Sequence, residues 1–76
     1  MDNVQPRLIQ CFKTVFEDLP ESNVPSASQQ TVAAWDSIAA ITLMNVIEEE
    51  FQIPVDFDRM AELDSFESIQ QYLEQQ

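Results

Sequence analysis

The sequence predicts an all-α fold, a small four-helix bundle with a short third helix, and three observations carry that prediction. Apolar residues recur at spacings of three and four in three separate stretches, the mark of helices with one buried face. Two of those stretches open on Asp-Ser, a pair suited to capping the free amides of a helix start. A hydrophobic content of 45% over 76 residues supports one core and not two, so residues 1–76 are read as a single domain.

The first helix is predicted over residues 3–18. Val4, Leu8, Cys11, Val15 and Leu19 form its stripe at spacings of 4, 3, 4 and 4, and Ile9, Phe12 and Phe16 widen it. Pro6 falls in the first turn, where a missing amide costs little. From Pro20 to Asp36 (PESNVPSASQQTVAAWD) the helical period dissolves. So long a connection is unusual in a small domain and is either functional or packed down by its own side chains. Val24, Val32 and Trp35 are the candidate plugs.

A central helix is predicted from Ser37 to about Phe51, capped by Asp36. Ala40, Leu43, Ile47 and Phe51 mark its inward face, with Met44 beside them. Ile38, Ile41, Asn45 and Glu48 follow spacings of 3, 4 and 3 on another face, which begins apolar and ends acidic. An exposed face so apolar marks a partner site. Ile53-Pro54-Val55 reads as extended, and Asp58 to Leu63 as one short helical turn with Met60 and Leu63 inward. The last helix is predicted from about Ser65 to Glu74, with Phe66, Ile69 and Leu73 inward and Asp64 or Ser65 as cap.

Absent residue types exclude much chemistry. Without histidine there is no Ser-His or Cys-His dyad, and the commonest metal ligand is missing. Without glycine neither GxGxxG nor GxxxxGK[ST] can form, so the standard phosphate-cradling loops are ruled out. The single Cys11, on the apolar stripe, reads as a buried thiol. Three basic residues (Arg7, Lys13 and Arg59) against fourteen acidic ones give a net charge of −11, which repels nucleic-acid phosphates and anionic membranes and attracts proteins with basic patches. No apolar run approaches a membrane span, and the first ten residues do not have the form of a signal peptide. The expectation is a non-enzymatic, monomeric binding module of the cytoplasm.

Two serines follow an aspartate and precede a large apolar residue: Ser37 in AWDSI and Ser65 in LDSF. Ser37 ends the long connection and opens the longest helix, so a phosphate on its hydroxyl would meet the positive end of a helix dipole. Asp36 is placed to help hold a divalent cation during phosphate transfer. Ser65 opens a short helix near the last residue of the sequence, and capping accounts for it.

Asp36-Ser37-Ile38 through Glu48-Glu49-Glu50-Phe51 resembles the acyl carrier proteins, whose signature is Asp-Ser-Leu followed by an apolar helix ending in Glu-Glu-x-Phe. The order of elements resembles that family over essentially the whole chain. The resemblance implies that Ser37 carries 4′-phosphopantetheine, added by a phosphopantetheinyl transferase, and that the arm's thiol bears acyl or aminoacyl groups as thioesters for loading and downstream enzymes. It further implies docking through Ile38, Ile41, Asn45, Glu48 and Glu49. Trp-Asp-Ser looks like a variant found among discrete carriers outside the main fatty-acid pathway. Three departures stand out: Ala39, Ala40 and Thr42 where many fatty-acid carriers have acids, Asn45 where an apolar residue is frequent, and Gln52 where glycine is common. The alternative from another class is an unmodified acidic helical adaptor for a basic partner. A calcium loop from Asp56 to Glu67 fits poorly, because Ala61 occupies the position that needs glycine.

Overall fold

The computed structural model describes residues 3–75, apart from the side chain of Phe57. Three α-helices carry the frame: α1 (Val4–Val15), α2 (Ser37–Phe51) and α3 (Phe66–Glu74). A 3₁₀ helix over Phe57–Glu62 is the stub between α2 and α3, and completes the four-helix bundle with its short third member. A second 3₁₀ helix, Glu21–Ser26, lies in the connection that the sequence left without structure.

α1 stops three residues earlier than its apolar stripe suggests. Phe16 leaves helical geometry at φ −114°, ψ 76°, and its ring is buried beside Trp35 with centroids 5.7 Å apart. Lys13 then reaches past the helix end, donating from Nζ to the carbonyl oxygens of Glu17 and Leu19. Leu19 continues the stripe in sequence but reaches the core by a turn, half-buried.

The long connection is held down by what it buries. Val24, Ala27 and Trp35 are all within 4% of complete burial, and Val32 packs partly against them. Phe12 sits at the centre of an aromatic cluster, edge-on to Trp35 at 5.2 Å and 81°, and 5.2 Å from Phe66 of α3. One loop residue thereby joins α1 to the segment that precedes α2. Tilted and edge-on pairs of this kind contribute about 0.5–1.5 kcal/mol each beyond their area. The indole nitrogen of Trp35 is buried without a hydrogen-bond partner, so apolar packing alone fixes its ring.

A second fastening joins the connection to α3. Ser28 and Ser65 form an isolated antiparallel bridge, in which Gln29 N donates to Asp64 O at 2.9 Å and Phe66 N donates to Ala27 O at 2.9 Å. These bonds satisfy backbone groups that a long loop would otherwise have to give to water.

α2 lies between these contacts with Ala40, Leu43, Met44, Ile47 and Phe51 buried, the inward face read from its spacing. It ends at Gln52, whose φ 57° and ψ 40° are left-handed, the geometry for which glycine is the usual residue. The Gln52 side chain donates from Nε2 to Glu49 O at 2.6 Å. Arg7 of α1 closes the same end: its Nε donates to Glu50 Oε2 at 2.8 Å, and its guanidinium lies 4.5 Å over the Phe51 ring. Val55 and Leu63 are buried and Met60 is half-buried, so the extended segment and the stub cover the remaining side as expected. No helix among the described residues is long and apolar enough to cross a membrane.

Candidate functional site

The site is assembled where the loop ends. Burial of Trp35 and Ala40 fixes the backbone on both sides of Asp36 and Ser37. Asp36 is extended at φ −97° and ψ −172°, and its Oδ1 accepts from Ala39 N at 2.8 Å. Its own carbonyl accepts the first helical bond, from Ala40 N at 2.8 Å. Asp36 is therefore the cap, and Ser37, the first helical residue, is exposed with its hydroxyl outside the capping bond.

Ser65 is built differently. It is the cap of α3, with its Oγ accepting from Ser68 N at 3.1 Å and 3.1 Å from Ser68 Oγ. Ser68 Oγ in turn accepts from Ser65 N at 3.2 Å, a capping box made with serine in place of the usual Glu or Gln. Half-buried, bridged to Ser28 and bonded through its hydroxyl, Ser65 has every polar group in structural use. Two identical dipeptides thus give one free hydroxyl and one committed one.

The face that runs from Ser37 carries the exposed apolar residues read from the sequence. Ile38 is 75% and Ile41 44% exposed, the two large hydrophobic side chains left so among the described residues. Asn45 is exposed on the same stripe. Glu48 is only half-exposed, and its Oε2 accepts from Val55 N at 2.8 Å, tying the end of α2 to the extended segment. Glu49 is exposed but leaves the stripe, lining an open hollow with Thr14, Val46, Glu50 and Gln52 on the α1 side. The structure brings Ser37, Ile38, Ile41 and Asn45 together, gives Glu48 an internal partner, and sets Glu49 apart. Spacing within α2 could not reveal the Glu48 bond, because its donor lies in the next segment.

The neighbourhood of Ser37 suits an anion. A helix N-terminus presents amides that have no partner in the helix and the positive end of the dipole. Among the described residues no group of three or more Cys, Asp and Glu is arranged to hold a metal ion. The Asp56 to Glu67 stretch is instead spent on structure: Asp56 caps the stub through Asp58 N, and Arg59 pairs with Glu62 at 3.5 Å.

A family model described as the phosphopantetheine attachment site matches residues 7–73. The chain belongs to this family. Comparisons with curated proteins and with solved structures gave no match. The phosphopantetheine attachment domain is the place of covalent 4′-phosphopantetheine attachment, so the chain is a phosphopantetheine-carrying carrier protein. Carrier domains of this family are in general not catalytic, and they interact with a phosphopantetheinyl transferase and with biosynthetic enzymes. An exposed serine hydroxyl at a helix N-terminus is chemically able to take a phosphodiester-linked arm, and Ser37 lies within the matched segment.

Proposed function

We propose that Ser37 is the residue that receives the 4′-phosphopantetheine arm, and that the carrier presents acyl or aminoacyl groups to successive enzymes of a fatty-acid, polyketide or related secondary-metabolite pathway. The observation that carries the reading is the division of labour at the head of α2: Asp36 makes the capping bond, which leaves the exposed Ser37 hydroxyl unbound. When attached, the arm supplies a thiol on which the cargo is held as a thioester. The chain's own residues then act by position. The buried Trp35 and Ala40 hold Ser37 at a fixed place on the surface. The first-turn amides of α2 other than that of Ala39, which Asp36 takes, would be available to a phosphate on Ser37, and the dipole would favour its charge.

Asp36 gives one oxygen to the Ala39 amide and has a second to share with a transferase-bound magnesium ion. Ile38, Ile41 and Asn45 form the surface on which partner enzymes seat, with Glu49 at its flank. The carrier performs no bond chemistry; it raises the local concentration of a tethered cargo, as a monomer in the cytoplasm.

Coexpression with a broad-specificity phosphopantetheinyl transferase, followed by intact-mass spectrometry, tests the site. The wild-type chain and Ser65→Ala each gain one phosphopantetheinyl group, and Ser37→Ala gains none. Modification retained in Ser37→Ala would overturn the assignment.

A further inference from the structure

The end of α1 and the connection that follows it leave a hollow that the core does not fill. Phe16 breaks the helix to bury its ring beside Trp35, and the chain then passes through a turn to Pro20. Between that turn and the last residues of the connection lies an open hollow of about 390 Å³, within the size range of ligand pockets. Val15, Leu19 and Val32 give it half-buried apolar walls, and the exposed Pro20 extends them. Leu19 and Val32 also line a second hollow, of about 350 Å³, so both of their sides stay partly uncovered. The exposed carboxylates of Glu17 and Asp18 line the first hollow, and the exposed Glu21 follows directly on Pro20. No basic side chain lines either hollow. Lys13, one turn back on α1, holds the turn by donating to the carbonyl oxygens of Glu17 and Leu19, and sets one positive charge against those three negative ones. This surface shares no residue with the stripe of Ile38, Ile41 and Asn45 on α2.

We propose that the hollow between the end of α1 and the connection is a second docking site, which takes a partner-enzyme segment bearing a large apolar side chain flanked by Lys or Arg. Two features choose that occupant. Covering Val15, Leu19 and Val32 removes apolar surface from water, and the carboxylates of Glu17 and Asp18 beside them favour a partner of positive charge. A second copy of the chain does not fit. Both copies carry a charge of −11, and the three basic side chains already meet Glu50, Glu62 and the carbonyls at the end of α1. An anionic lipid surface is repelled by the same charge. Ala34 lines the hollow and lies three residues before Ser37, so their Cα atoms are at most about 11 Å apart. A partner seated there stands beside the head of α2 without using Ile38 or Ile41. The inference goes beyond the reading of Ser37 as the attachment point and does not rest on it.

The test is a titration of the full, unmodified chain, labelled with nitrogen-15, with the end-capped peptide Lys-Lys-Leu-Lys-Lys, followed through the amide resonances. Saturable shifts are expected at Val15, Leu19, Val32 and Ala34. Glu17→Gln combined with Asp18→Asn raises the Kd by about threefold to tenfold, and serine in place of the peptide's leucine raises it by about tenfold or more. Both substituted positions are exposed, and an unchanged amide spectrum away from the hollow verifies the fold. Ile38→Asp leaves the binding as it was. Shifts spread over the whole acidic surface or centred on Glu48, Glu49 and Glu50 would overturn the inference, as would a Kd indifferent to Glu17 and Asp18 or to the leucine. Concentration-dependent shifts at the hollow without peptide would assign it to a second copy and overturn it as well. Shifts at the same amides on loading the chain with an octanoyl-bearing arm, with no peptide binding, would assign the hollow to the cargo, overturning this inference and leaving the attachment reading in place.

Discussion

Replacing Glu48 with alanine removes the acceptor that holds the Val55 amide. Val55 is 6% exposed, so its N–H has little access to water once the carboxylate at 2.8 Å is gone. A charge-assisted bond to a backbone amide contributes about 1.5–3 kcal/mol, and the half-exposed position of Glu48 places this one at the lower end. Glu48→Ala is therefore expected to lose about 1.5 kcal/mol, after a few tenths are recovered from the helix propensity of alanine. For a domain of this size that corresponds to a fall of about 6–12 °C in melting temperature. Glu48→Gln keeps a carbonyl acceptor on the same stem and loses about 0.5 kcal/mol, the charge-assisted part of the bond.

Urea unfolding followed by the fluorescence of the buried Trp35 measures both variants, with phosphopantetheine transfer to the chain assayed in parallel. Transfer is expected to stay within about twofold of wild type in Glu48→Gln, because the carboxylate faces the chain and not the partner. Wild-type stability in Glu48→Ala, or a large loss of transfer in a fully stable Glu48→Gln, would refute the structural role.

Gln52 gives a test by sign. At φ 57° a side chain costs about 1–2 kcal/mol, so Gln52→Gly is expected to exceed Gln52→Ala in stability by about 1 kcal/mol, the reverse of the order inside a helix; thermal melts of the pair decide it. Burial, reinforced by the nearby Glu50 charge, pushes the Cys11 thiol up to about 11 from an ordinary value of 9.0. The unfolded chain then ionises first as pH rises, so stability present below pH 9 is lost between about 9 and 11, by at most about 1.4 kcal/mol per pH unit. Denaturant titrations at pH 8 and 10 compare wild type with Cys11→Ala, in which this component of the fall is absent. The same neutral thiol is expected to resist alkylation at pH 8 in the native carrier, leaving the arm's thiol as the reactive one.

The helices were legible because burial repeats with the helix period. The inward residues of α2, Ala40, Leu43, Ile47 and Phe51, could be named from spacing alone, and Asp36 from its place ahead of them. The plugging of the connection by Val24 and Trp35 was legible too, since large apolar residues in a polar stretch have no other favourable place. The 3₁₀ turn at Glu21–Ser26 was not, because a piece so short has no apolar period to display. The early end of α1 was hidden for a related reason: Leu19 keeps the spacing of the stripe while arriving by a turn.

By itself the sequence determined that the domain is helical, that it lacks the residues of the common catalytic dyads, and that Ser37 and Ser65 are the two serines to weigh. Tertiary structure gave their hydroxyls different surroundings, since the pairing of Ser28 with Ser65 and the reciprocal bonds with Ser68 commit the second one. It also gave three adjacent glutamates three different environments. Glu48 bonds an amide in the next segment, Glu49 lines the hollow beside Thr14, and Glu50 binds Arg7 from the first helix. Local sequence gives those carboxylates the same chemistry. What separates them is which distant donor the fold brings within hydrogen-bond reach, and Arg7 lies 43 positions from its partner.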